Sequence, residues 1–177
     1  MELVNRTELD FDRLRRMLDR EIDGWPHERV HATVRYSRGA DFSGTCYDRK
    51  GTIYVNVGRH VVYPYAMRTH IARAKSNATH WWKELYTVRI ADAYQLALFV
   101  FLHEFYHWLV RQAKRNPRQK ESMCDRFATR ALVMRYGALV HDTAGAAVGR
   151  SAWDFQDVDG FVGAARRRMQ PRRRIGA

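Results

Sequence analysis

A chain of 177 residues, 46% of them apolar, is long enough to bury a core and too apolar to be disordered. Its net charge of +12 favours nucleic acid, anionic surfaces or acidic partners without choosing among them. Two cysteines, Cys46 and Cys124, in no Cys-x-x-Cys pair exclude a zinc ribbon or disulfide framework, and with no signal region and no spanning apolar run the expectation is a soluble, cytoplasmic protein.

Residues 7–22 read as a first helix, capped by Thr7 with Asp10 three positions on and ended by Asp23-Gly24-Trp25-Pro26. Residues 31–36 alternate like a strand, and 37–44 like a turn region. Residues 45–47 and 52–57 flank Asp48-Arg-Lys-Gly51, a hairpin with glycine where a positive φ is needed. Ile53, Val55 and Val57 share one face of its second strand. Residues 58–77 suggest a loop with a short helix near 65–75. In 79–86 the aromatics Trp81 and Trp82 are expected to pack under a long loop, before a short strand at 87–90. Asp92 can cap a helix running to about Lys114. A basic connection, 111–120, is broken by Asn116-Pro117 and leads to a helix at 119–136 closed by Gly137. Residues 138–150 read as irregular, 153–169 as an amphipathic helix, and Arg166–Arg174 as a basic tail. One domain over 1–165 and a basic tail over 166–177 follow.

The chemistry concentrates in His103-Glu104-Phe105-Tyr106-His107, set in an apolar run without proline or glycine. On a helix, His103 and His107 are four apart and present two imidazoles to one point. Zinc takes such nitrogens at about 2.0–2.1 Å, and Glu104 beside them is placed to accept a proton from water. The alternative is a pair of core histidines, for which the unpartnered polar cluster would be costly.

A catalytic zinc site has three protein ligands, so one is missing. The following helix offers Glu121 as that ligand. Asp125, one turn on, is a candidate to hold the outer nitrogen of a ligating histidine. The plainer role for Glu121 is a negative charge at a helix start.

His103-Glu-Phe-Tyr-His107 followed by Glu121-Ser-Met-Cys-Asp-Arg-Phe-Ala128 resembles the gluzincin metallopeptidases, most closely the small ImmA/IrrE-type proteins, whose second motif is similar to Glu-x-x-Ala-Asn-x-Phe-Ala. The resemblance covers roughly residues 30–136. It implies an α+β, zincin-like domain, with a short, mostly antiparallel sheet on the His-Glu-x-x-His helix and a ligand-bearing helix after it. It places Glu121 at the metal-ligand position, Asp125 at the supporting position, and Phe127 and Ala128 at packing positions. Two residues depart from the pattern: Tyr106 is bulky where small residues are usual, and Cys124 replaces alanine. The SprT-like proteases, which act near DNA, resemble the chain in size but use a later histidine; the only histidine downstream of the motif is His141.

The expectation is therefore zinc-dependent hydrolysis of a peptide bond in a protein or peptide substrate. Zinc would be held by His103, His107 and Glu121, with Glu104 as the base. Tyr136, His141, His80 and Tyr86 are candidate donors to the developing oxyanion. An extended substrate is expected to add to a strand edge, with residues 52–57 as the candidate. The rival reading is a nucleic-acid-binding protein using the tail and the 111–120 connection, with a structural or idle metal site.

Overall fold

A computed structural model describes residues 1–116, 118 and 120–169. Its central element is helix α2 (Ala93–Gln112), which begins where the Asp92 carboxylate accepts a hydrogen bond from the Gln95 N–H at 2.8 Å. Leu96, Ala97, Leu98, Phe99 and Val100, consecutive and therefore spread all round the helix, are all buried. A helix apolar all round needs neighbours on all sides. Strands β3 (Phe42–Tyr47) and β4 (Thr52–Val57) cover one side of α2; helices α3 (Glu121–Tyr136) and α4 (Val158–Met169) cover others. Helix α1 (Phe11–Ile22) adds its stripe of Leu14, Leu18 and Ile22, and one contiguous core runs from Leu3 to Ala165. The α1 cap is Asp10, whose carboxylate accepts from the Arg13 N–H, so the helix starts later than Thr7 suggested.

The α+β expectation holds. The sheet against α2 has the order β1-β2-β4-β3, with β1 at Glu2–Arg6 and β2 at His31–Tyr36. Its β1–β2 and β2–β4 pairings are parallel and only β3–β4 is antiparallel, so this sheet is not mostly antiparallel as expected. The unforeseen strand β1 joins through α1 to β2, a crossover that makes those two parallel, and β4 runs alongside β2 in the same direction because the chain first turns back through β3 at the edge. Ile53, Val55 and Val57 point inward together, and Gly51 closes the β3–β4 turn at φ +71°, as the sequence required.

A second sheet, β5-β8-β9 (Tyr65–Thr69, Tyr86–Ile90, Val140–His141), is antiparallel, as is a hairpin of β6 (Ala74–Ser76) and β7 (Trp81–Lys83). The short helix near 65–75 does not form: Met67 and Thr69 are buried while Ala66 and Arg68 are exposed, a period of two that suits a strand. Trp81 and Trp82 also depart from expectation. They are exposed on the hairpin rather than packed beneath it. Helix α4 starts at Val158 rather than at 153, and it continues to Met169, past the start expected for the tail; residues 170–177 lie outside the described residues. Among the described residues, no helix is long and apolar enough to cross a membrane.

Tyr106, the bulky departure from the resemblance, is accommodated by α4. Its ring packs on Phe127 and its hydroxyl donates to the Val158 carbonyl at 2.8 Å. Arg126 is the second buried polar tie. Its guanidinium donates to the carbonyls of Ile71, Ala72 and Trp153, fixing three loop positions around α3. Arg126→Leu leaves those carbonyls without a donor and should cost about 3 kcal/mol. Thermal unfolding should fall by roughly 6–12 °C; an unchanged midpoint would show that the loops do not depend on this contact.

Candidate metal centre

Because α2 holds residues four apart on one face, the His103 and His107 rings lie 5.2 Å apart, both largely buried. Helix α3 brings the Glu121 carboxylate across them, 3.1 Å from His103 Nε2 and 3.4 Å from His107 Nε2. One turn further along α3, Asp125 Oδ1 accepts from His103 Nδ1 at 2.8 Å. Asp125 Oδ2 accepts from the His70 backbone N–H at 2.7 Å. The carboxylate is thus held from both sides, and it fixes the histidine so that Nε2 faces Glu121.

The electrostatics follow from this geometry. Burial alone would lower the His103 imidazole, but hydrogen bonds to Asp125 and Glu121 outweigh it and hold the group up at about 10. Hydrogen bonds from both histidines hold the Glu121 carboxyl far below the ordinary carboxylate range.

Glu104 follows His103 on the rim of the same face of α2 and points toward Gly44 of strand β3. It is 9% exposed, and burial raises its carboxyl above the ordinary range while His103 and His107 oppose the rise. A carboxylate so placed is a better proton acceptor than a solvated one. Its room comes from Gly44: a Cβ there would sit 2.3 Å from Glu104 Oε1. The sequence pattern puts Gly44 at the end of a turn region, whereas it lies within β3. A glycine within a strand pattern was the available signal, since it marks a close approach by another group.

Tetrahedral ligands at about 2.0–2.1 Å from zinc lie roughly 3.3 Å from one another. Glu121 Oε2 lies 3.1 Å from His103 Nε2 and its Oε1 lies 3.4 Å from His107 Nε2, each near that spacing, and two imidazoles with one carboxylate form a donor set that zinc accepts. Cys124 competes for the third place: its thiol and the two imidazoles offer ligand atoms all within 4.8 Å of one another. Glu121 is the better fit. Its carboxylate faces both nitrogens and is already ionised, whereas Cys124 is fully buried and burial pushes its thiol upward.

One oxyanion candidate is corrected. Tyr136 ends α3, fifteen residues beyond Glu121 and therefore about 22 Å along the helix, where its hydroxyl donates to Glu21 at 3.2 Å. His141 pairs with Thr87 in the second sheet. His80 is exposed on the β6–β7 turn, bonded to Thr79. Tyr86 pairs with Thr69, next to the His70 that holds Asp125. No protein-family profile, curated protein or solved structure matches the chain.

Two outcomes follow from this geometry. Gly44→Ala should cost about 1–3 kcal/mol through the collision with Glu104. Adding Glu104→Ala should recover most of that loss in thermal unfolding, because the two changes share one contact; strictly additive losses would contradict the contact. The second outcome concerns protons. With its value raised to about 10, His103 is protonated at pH 7.5, and its contribution to the metal-free chain is full below about 6.5 and fades as pH rises through 10. A metal needs the neutral ring, so zinc binding at pH 7.5 should release about one proton and tighten with rising pH. Calorimetry in buffers of different ionisation enthalpy reads this directly, and binding without proton release would contradict the assigned partners.

Proposed function

We propose that the protein is a zinc-dependent metallopeptidase of gluzincin type, with His103, His107 and Glu121 as ligands. The observation that carries this reading is the convergence of one carboxylate on both imidazoles at metal-ligand spacing, with a second carboxylate, Glu104, desolvated beside them. Zinc in such a site supplies Lewis acidity, which acidifies water and polarises a carbonyl. Glu104 accepts the water proton and returns it to the leaving amine. Asp125 positions His103 and keeps its Nε2 directed at the site.

The substrate is an extended peptide lying along a strand edge. Residues 52–57 do not offer that edge, because β4 is paired on both sides, by β2 and β3. The outer edge of β3 is the one beside Glu104, and it is the better candidate for strand addition. His141, the later histidine that the SprT-like alternative would use, pairs with Thr87 in the second sheet. A cytoplasmic location remains part of the proposal and is favoured by the two free cysteines.

Glu104→Gln should lower kcat against unfolded protein or peptide substrates by about 10²–10⁴-fold. It should bind zinc at the wild-type ratio, measured by elemental analysis of the same sample. Turnover equal to wild type in that variant would overturn the mechanism.

A further inference from the structure

The sheet that covers α2 has a second face, and its side chains are arranged for a different partner. Register places Arg6, Arg35, Asn56 and Ser43 in one row across all four strands on this face. The next row contains Thr33, Tyr54 and Thr45, and Tyr47 lies in the row beyond. Arg6, Arg35, Ser43, Thr45 and Tyr47 are exposed, so no helix covers them.

Two properties of this face point to one class of ligand. The first is charge. Arg6, Arg35 and Arg38 line an open concavity of about 750 Å³ with Ser43 and Asn56. Among the described residues, none of these three arginines is paired with a carboxylate. Arg35 Nε donates to Asn56 Oδ1 at 2.7 Å, and Asn56 donates to Ser43 Oγ at 2.9 Å, so the guanidinium is held in place with its outer nitrogens outward. Fixed, unneutralised guanidinium groups are suited to phosphate oxygens.

The second is aromatic surface. The Arg35 guanidinium lies 4.6 Å from the centre of the Tyr54 ring, and Tyr54 packs edge-on against Tyr47 at 6.1 Å. Tyr47 remains 54% exposed. From the Arg35 row to the Tyr47 row is four residues along the strands, about 13 Å. Phosphate-binding charge at one end and stacking platforms at the other is the combination that binds unpaired nucleotides. A duplex would leave the platforms unused, because its bases are already stacked. A solvated polar face would need neither the excess of one charge nor the exposed ring.

We propose that the open face of the β1-β2-β4-β3 sheet binds single-stranded nucleic acid, with Arg6, Arg35 and Arg38 on its phosphates and Tyr47 and Tyr54 on its bases. The histidine-bearing helix packs on the opposite face of the same sheet, so the two surfaces can be altered separately.

The test is fluorescence anisotropy of the full chain with a labelled ten-nucleotide oligothymidine, its RNA counterpart and a duplex of equal length, at low and moderate salt. Wild type should bind the single strands more tightly than the duplex. Arg35→Glu with Arg38→Glu should weaken single-strand binding more than 10-fold, and Tyr47→Ala by about 5-fold or more at the higher salt, where stacking dominates. Arg16→Glu with Arg20→Glu, the same charge change on exposed α1 positions, should weaken it less than 3-fold. Thermal unfolding of each variant confirms that the exposed substitutions leave the fold intact. Equal losses in the two charge-reversed variants would reduce the effect to net charge and overturn the proposal. Preference for duplex, or no binding by wild type, would overturn it as well.

Discussion

A helix buried on every side can carry two imidazoles and a carboxylate only if each finds a polar partner. That constraint organises the centre of this molecule. Asp125 and Glu121 satisfy His103, Glu121 reaches His107, and Glu104 turns to the gap left by Gly44. The partners come from two elements separated in sequence, α3 and β3, so the polar cluster also specifies how helix and strand sit on α2. The His70 N–H extends the network to the second sheet. A single change among these groups would leave a buried charge or dipole without its partner, which is costly in a low-dielectric interior.

The parts of this arrangement legible in the sequence are those set by short-range periodicity. Residues four apart on an uninterrupted helix must share a face, so the histidine pair and the Glu121–Asp125 pair could be read directly. The Asp92 cap, the Gly51 turn and the inward row of Ile53, Val55 and Val57 were readable for the same reason. What escaped depends on contacts between distant segments. Strand β1 buries only Leu3 among its five residues, so nothing in its pattern marks it as a strand until β2 lies beside it. Residues 65–69 carry residues acceptable to either helix or strand, and pairing with β8 decides the matter. Tyr136 had suitable chemistry, and only the length of α3 removes it from the site.

The same sheet serves two environments. Its inner face supplies the apolar cover that α2 requires, and the edge strand β3 brings Gly44 against Glu104. Its outer face is free of that packing duty and carries arginine, tyrosine and small polar side chains. Strand alternation makes such a division inexpensive, since neighbouring residues on one strand answer to different surroundings. Cys46 and Thr45 illustrate it: the first lies beside Glu104 and burial pushes its thiol up to about 12, while the second is exposed on the outer face.

The central claim is that the carboxylate of Glu121, not the thiol of Cys124, completes the ligand set with His103 and His107. X-ray absorption spectroscopy of the zinc-loaded protein tests it most directly. The spectrum should show nearest neighbours of nitrogen and oxygen alone at about 2.0–2.1 Å, with the more distant scattering of two imidazoles. A sulfur scatterer at about 2.3 Å would contradict it, and would place Cys124 on the metal.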